Sequence, residues 1–108
     1  MRLYKEKQYA EAAAKFVTAS QMQPSSALFA NNAGFAYFCT GQFDQAVQWY
    51  KKSIALDPKR AVAYVNLGDA YLNLQKNAEA KQAFESFLAL SPNSKSAPYV
   101  QDKLKSLP

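Results

Sequence analysis

The sequence predicts an all-α solenoid of helix–turn–helix repeats, and two observations carry this prediction. First, Pro24, Pro58 and Pro92 are each separated by 34 residues, and the aromatic residues Tyr50 and Phe84 have the same separation. Second, apolar residues inside one period recur at the i, i+3, i+4 and i+7 spacing of a helix face. A long fixed period of this kind is the signature of stacked repeats, in which each unit buries its apolar face against the next one.

Each period divides into two helices joined by a short turn. The first helix extends from Ala27 to Gly41, and glycine suits its end because it adopts positive φ without steric cost. The second helix begins at Phe43 and ends before Pro58, since proline disfavours the helical conformation in the residue that precedes it. The two complete repeats are therefore predicted at residues 27–60 and 61–94.

The composition excludes several classes of protein. The chain has 108 residues, of which 49% are hydrophobic and 19% charged, so it is neither a disordered tail nor a linker. It contains no histidine, and this absence removes the commonest general base and the commonest transition-metal ligand. Its one cysteine is Cys39. We therefore expect no catalytic residues, no metal site, no cofactor and no enzymatic activity.

The charge pattern favours a solvated helical surface over a nucleic-acid site. Thirteen basic residues oppose eight acidic ones, but the basic residues form no long run. No apolar run approaches the ~20 residues of a membrane span. We expect no specific nucleic-acid partner and no membrane insertion. The N-terminal residues lack the apolar stretch of a signal peptide. The compartment stays open: the cytoplasm is favoured, with the periplasm or an organelle as the alternative if a parent chain carries a signal.

The repeat resembles the tetratricopeptide repeat (TPR) family, whose pattern places aromatic, glycine, alanine and proline residues at fixed offsets. Repeat three carries this pattern at Tyr64, Leu67, Gly68, Tyr71, Ala80, Phe84 and Pro92. Repeat two carries it at Ala33, Gly34, Tyr37, Ala46, Tyr50 and Pro58, with Ala30 in place of the first aromatic residue. The resemblance implies a right-handed α-solenoid of about two and a half repeats, followed by a capping helix.

The N-terminal residues 1–26 form a partial repeat in this scheme. Its second helix is expected at about Tyr9–Met22, with Met1–Lys5 as the last turn of a missing first helix. The apolar face of the second helix, formed by Ala12, Phe16 and Ala19, should then be incompletely covered. We expect either a fragment of a larger scaffold or an atypical cap, and a weak homodimer through this half-repeat.

The C-terminal residues 95–108 are predicted to form a capping helix. Its apolar positions fall on one face, while Lys103 and Lys105 fall on the other. Phe87 occupies an offset that holds a small residue in the earlier repeats, which indicates a different neighbour there. Binding of this helix to a membrane surface is the alternative, but its apolar face is small.

The resemblance also implies a binding surface on the concave side, which the first helix of each repeat lines. The candidate peptide-binding residues are Leu28, Asn31, Asn32, Phe35, Val62, Val65, Asn66, Asp69 and Tyr99. Further positions that face the groove in this family are Phe38, Cys39, Leu72 and Asn73. The last helix is expected to extend this groove with Ser96, Tyr99, Val100 and Lys103.

Two asparagines one repeat apart, Asn32 and Asn66, suggest a ladder against a bound main chain. A carboxamide can donate to one backbone group and accept from another. The alternative is that asparagine at this offset only supports the repeat's own backbone.

One specialised ligand of the family does not fit. Some TPR domains hold the C-terminal carboxylates of chaperone tails with a middle-repeat asparagine and with basic residues on the next first helix. Asn32 matches the asparagine, but Val62 and Asn66 occupy the basic positions, so a carboxylate would lack its cations.

The sequence thus favours a non-enzymatic module that binds a peptide or helix of a partner protein in its concave groove. The alternative is a structural element that self-associates through its incomplete terminal repeats.

Overall fold

The computed structural model describes residues 2–107, with side chains described for residues 7–107. These residues form an array of helices without strands. The helices are α1 (Arg2–Met22), α2 (Ala27–Cys39), α3 (Phe43–Leu56), α4 (Ala61–Asn73), α5 (Asn77–Leu90) and α6 (Ala97–Ser106). The predicted all-α repeat solenoid is confirmed.

The repeat period reappears in the turns between paired helices. In the α2–α3 turn, the Gln42 backbone N–H donates to the Tyr37 carbonyl at 2.9 Å, and Gly41 has a φ of 79°. In the α4–α5 turn, 34 residues later, Lys76 donates to Tyr71 at 2.9 Å, and Gln75 has a φ of 59°. Gly41 takes the left-handed conformation that the sequence predicts for it, whereas Gln75 takes the same conformation with a side chain attached.

The core lies between the helices of each pair and between neighbouring pairs. The aromatic residues Tyr50 and Phe84 are almost fully buried, and so are the small residues Ala46 and Ala80 one turn earlier on the same helices. Ser53, also buried, donates from its Oγ to the Ala27 carbonyl at 2.8 Å and so ties the end of α3 to the start of α2.

The N-terminal helix differs from its prediction. We expected a helix from about Tyr9, preceded by the last turn of another helix, but α1 is continuous from Arg2 to Met22. The expected chain reversal between these two helices is therefore absent. Met1 and the side chains of residues 2–6, which include most of the predicted Met1–Lys5 turn, lie outside the described residues.

The coverage of α1 agrees with the prediction. Ala12, Phe16 and Ala19 are half-buried. Their counterparts one repeat later, Ala46, Tyr50 and Ser53, are at most 1% exposed. The α1 helix thus contacts α2 on one side and lacks cover for part of its apolar face.

The C-terminal helix packs on the last hairpin, as the capping prediction requires. Ala97 and Val100 are buried in the same cluster as Phe87. Val100 is therefore a core residue, and the prediction that it extends the groove is wrong. The division of the chain at residues 26, 60 and 94 stays a prediction.

Candidate functional site

The first helices α2 and α4 and the capping helix α6 are joined side by side by two hydrogen bonds between side chains. Asn66 Nδ2 on α4 donates to Asn31 Oδ1 on α2 at 3.1 Å. Tyr99 Oη on α6 donates to Asp69 Oδ1 on α4 at 2.7 Å. The three helices therefore present one connected surface, which we call the groove.

Large apolar side chains remain exposed along this groove. Leu28 and Phe35, two turns apart on α2, are 48% and 49% exposed. Val62, which stands one repeat after Leu28, is 47% exposed, and Tyr99 is 43% exposed. An exposed row of this kind is informative because apolar side chains that face the interior elsewhere in the repeat are almost fully buried.

The asparagines are arranged differently from the predicted ladder. Asn66 pairs with Asn31 rather than standing free beside Asn32. Asn31 is only 7% exposed and accepts the hydrogen bond from Asn66, so it supports Asn66, and its assignment as a peptide contact stays a prediction. Asn32 is half-buried and makes no side-chain hydrogen bond to the protein among the described residues. The groove therefore offers the Asn32 carboxamide and the Asn66 Oδ1 atom to a ligand.

Val65 and Asp69 on α4 are both half-buried. Val65 is half-buried and packs partly against the core. Burial raises the pKa of the Asp69 carboxyl above its usual value, although the Tyr99 hydrogen bond and the Lys103 charge oppose that shift. Burial together with the adjacent Asp69 carboxylate raises the pKa of the Tyr99 phenol to about 12. The phenol is therefore a stable hydrogen-bond donor at neutral pH.

A pocket of about 360 Å³ opens at the α6 end of the groove. We call it the end pocket, and it is lined by Phe38, Asp69, Leu72, Asn73, Tyr99 and Lys103. The repeat register predicts several of these positions individually. It gives no signal that Tyr99 bonds Asp69, because that contact depends on how the capping helix packs.

A second pocket, of about 460 Å³, lies away from the groove between α3, α4 and α5. Its floor includes Ile54, Leu67 and Tyr71, and its rim includes Lys51 and Glu79. None of the predicted site residues lines it, and the repeat pattern does not predict it.

The described residues bring no metal-binding cluster together. No group of three or more potential metal ligands converges among them. Burial raises the pKa of the Cys39 thiol. A raised pKa disfavours the reactive thiolate. None of the helices in this part of the chain is long and apolar enough to cross a membrane.

The comparisons with known proteins agree with the repeat pattern. Two sequence models of the family match the chain, one described as TPR repeat at residues 36–75 and one as tetratricopeptide repeat at residues 61–94. The second TPR domain of human RPAP3, solved in complex with the HSP70 peptide SGPTIEEVD, superposes with a TM-score of 0.85. It is 30% identical, and the match covers 95% of this chain and 86% of that one.

Two curated relatives show how the repeats occur in longer proteins. The Hsp70-Hsp90 organizing protein of Triticum aestivum is 32% identical over 85 residues, which are 79% of this chain and 15% of that protein. Protein O-mannosyl-transferase Tmtc3 of Drosophila melanogaster is 29% identical over 80 residues, which are 74% of this chain and 9% of that protein. The chain spans less than a third of the length of each of these relatives. With its repeat pattern, its helix hairpins and these matches, the chain belongs to the tetratricopeptide repeat family.

Proposed function

We propose that this chain is a non-enzymatic interaction module, part of a larger scaffold or adaptor, that binds a partner's peptide in the groove. The observation that carries the proposal is the row of half-exposed apolar side chains at Leu28, Phe35, Val62 and Tyr99. Covering such side chains with those of a ligand contributes about 25 cal/mol per Å² of apolar surface removed from water.

The amides of the groove support an extended peptide rather than a helix. An extended chain leaves its main-chain N–H and C=O groups unpaired, whereas a helix satisfies them internally. The Asn32 carboxamide can donate and accept, and the Asn66 Oδ1 atom can accept. The hydrogen bond to Asn31 already holds the Asn66 side chain in place. Asn66 therefore loses less conformational entropy when a ligand binds.

The chemistry of the groove favours an apolar peptide over an acidic chaperone tail. The HSP70 peptide bound by the human RPAP3 domain ends in EEVD and carries three carboxylate side chains. In this chain, α2 and α4 contain no lysine or arginine, and Val62 and Asn66 stand at the positions where clamp domains have basic residues. An acidic tail would lose water without gaining a cation on these helices.

The same residues favour a binding role over catalysis. The chain has no histidine, and the Asp69 carboxylate is paired with a phenol whose pKa is about 12. A phenol with that pKa is not suited to exchange a proton near neutral pH.

A peptide array tests this function. The purified 108-residue chain is applied to random linear decapeptides, and affinities of the selected peptides are measured by fluorescence anisotropy. The groove variant is Leu28→Glu with Val62→Glu, because both side chains are about half exposed and the Asn31–Asn66 pair is left intact. We expect at least a tenfold loss of affinity, about 1.4 kcal/mol.

The matched control for this experiment changes the opposite surface. Lys51→Glu with Lys52→Glu places the same number of carboxylates on exposed positions of α3. This variant should bind the selected peptides as the parent chain does. Equal losses in the two variants, or an array without any selected peptide, would contradict the groove proposal.

Self-association through α1 is the second candidate function. It is favoured by the half-buried strip of Ala12, Phe16 and Ala19, whose counterparts in the next repeat are covered. We propose that two copies appose these strips. Sedimentation velocity across a concentration series should show a weak dimer that Phe16→Ser abolishes. Phe35→Ser, which removes the same side chain from the groove, should leave the dimer intact, and a strictly monomeric parent chain would contradict this candidate.

A further inference from the structure

The end pocket differs chemically from the rest of the groove. Helices α2 and α4 contain a single charged residue between them, Asp69, and it lies in this pocket. The aromatic side chains of Phe38 and Tyr99 and the aliphatic side chain of Leu72 line the same space. A pocket lined by a carboxylate and two aromatic rings is a favourable environment for an organic cation.

The Asp69 carboxylate retains capacity to bind a ligand. Its Oδ1 atom accepts the hydrogen bond from Tyr99, but no group in the described part of the chain donates to Oδ2. Burial raises the Asp69 pKa by more than the Tyr99 hydrogen bond and the Lys103 charge lower it. These two neighbours therefore do not fully offset the cost of burying the negative charge. A second cation beside Asp69 would further stabilise its negative charge.

The chain's own Lys103 indicates which ligand the pocket prefers. Its Nζ atom lies 5.4 Å from the centroid of the Tyr99 ring, and its charge acts on Asp69. A cation from α6 thus already occupies the edge of the pocket. It leaves the Oδ2 atom of Asp69 without a hydrogen-bond donor among the described residues.

We propose that the end pocket binds an arginine or lysine side chain of the groove's peptide ligand, with Lys103 as an internal competitor in the free protein. Arginine is the better fit, because its planar guanidinium stacks on aromatic rings and donates to a carboxylate through two N–H groups. The inference rests on the proposed groove in naming a peptide as the source of the side chain.

The test uses capped single residues, which need no knowledge of the peptide. The ¹⁵N-labelled full chain is titrated with N-acetyl-arginine-N-methylamide, with its neutral isostere N-acetyl-citrulline-N-methylamide, and with the capped glutamate. The arginine probe should shift the amide signals of Asp69 and Tyr99 with a dissociation constant in the millimolar range. The citrulline probe should bind about fivefold more weakly, because it lacks the charge.

Three variants assign the effect to the pocket. Asp69→Asn keeps an acceptor for Tyr99 but should abolish the preference for arginine over citrulline. Lys103→Gln should tighten arginine binding about two- to threefold by removing the competitor. Asp102→Asn, which removes an exposed carboxylate on α6 outside the pocket, should leave the preference unchanged.

The outcomes separate this inference from the proposed function. Three results would each overturn the end-pocket proposal. They are equal binding of the arginine and citrulline probes, a preference for arginine that survives Asp69→Asn, and tighter binding of the glutamate probe. If array peptides bind the groove without any arginine preference, the groove stands and the end pocket falls. If the arginine probe binds as expected while no array peptide binds, the end pocket stands as an arginine site and the groove proposal falls.

Discussion

Replacing Gly68 with alanine tests the packing within a repeat most directly. Gly68 on α4 faces the ring of Phe84 on α5, and a Cβ atom at Gly68 would lie 2.5 Å from Cε1, 2.7 Å from Cζ and 2.8 Å from Cδ1 of that ring. All three distances are shorter than real Cβ contacts allow. Phe84 is fully buried, so its ring has no exposed side toward which to move.

The expected loss of stability follows from two opposing effects. Overpacking of a core costs about 1–3 kcal/mol, and three contacts to a fixed ring place Gly68→Ala at the upper end of that range. Alanine inside a helix recovers about 0.8–1 kcal/mol relative to glycine. The net loss is about 2 kcal/mol, which corresponds to a fall in Tm of about 8–16 °C for a domain near this size.

A double-mutant cycle, read by urea denaturation, isolates the contact. Phe84→Leu alone should cost about 1–2 kcal/mol, but it also removes ring atoms that the new Cβ would meet. The Gly68→Ala and Phe84→Leu double variant should therefore be more stable than additivity predicts, by at least about 1 kcal/mol. The control pair is Gly41→Ala with Phe84→Leu. A Cβ at Gly41 meets nothing within 4 Å, and its cost comes only from the φ of 79°, so this pair should be additive. Additivity at Gly68 as well, or a Gly68→Ala variant as stable as the parent chain, would refute the packing argument.

Three further outcomes are expected. Gln75→Gly should raise the free energy of unfolding by about 0.5–1 kcal/mol in urea, because a non-glycine residue at a φ of 59° is strained; no gain would show that the turn tolerates glutamine without cost. Tyr99→Phe should be less stable than the parent chain at neutral pH. The thermal-melt difference should shrink as pH rises from about 10, where an unfolded tyrosine ionises, to about 12, where the folded one does. A difference that is constant over this range would mean that the phenol's pKa is not raised by folding. Deleting the chain from Ser96 onward should lower the Tm and cause aggregation, because Phe87 loses the cover that keeps it 2% exposed; an unchanged melt would show that α6 contributes no packing.

The repeat period predicts the fold well, because each position in one hairpin repeats the steric environment of the position 34 residues away. Ala46 and Ala80 are buried where the helices of a pair cross, and Tyr50 and Phe84 are buried one turn later. These burials follow from residue size and helical spacing, which are local properties of the sequence.

The continuous N-terminal helix was not predictable from the period. Lys7 stands at the register position of Gly41 and Gln75, which turn the chain in the later repeats. Lysine is a good helix former and gains nothing from a left-handed conformation. A turn there has to be stabilised by packing between the two helices of a hairpin, and helix α1 continues through the position instead.

The polar contacts of the groove were missed for a different reason. Asn31 and Asn32 are adjacent, so their side chains differ by about 100° around the helix axis. Family offsets place both of them near the groove. Which one pairs with Asn66 depends on the relative rotation of α2 and α4, and the tertiary packing decides it in favour of Asn31. The Tyr99–Asp69 bond likewise exists only because α6 packs beside α4.

The repeat register distinguishes the two ends of the proposed groove. Leu28 and Val62 occupy equivalent positions and are both apolar and about half exposed. Two turns further along the same helices, the equivalent positions are Phe35 and Asp69, an exposed aromatic side chain followed by a half-buried carboxylate. A ligand that matched only the repeating positions could bind in either orientation, whereas the change from Phe35 to Asp69 distinguishes its two ends. Specificity in this groove should therefore arise at the position where the repeat departs from its own pattern, and substitutions at Asp69 should alter ligand orientation more than substitutions at Val62 do.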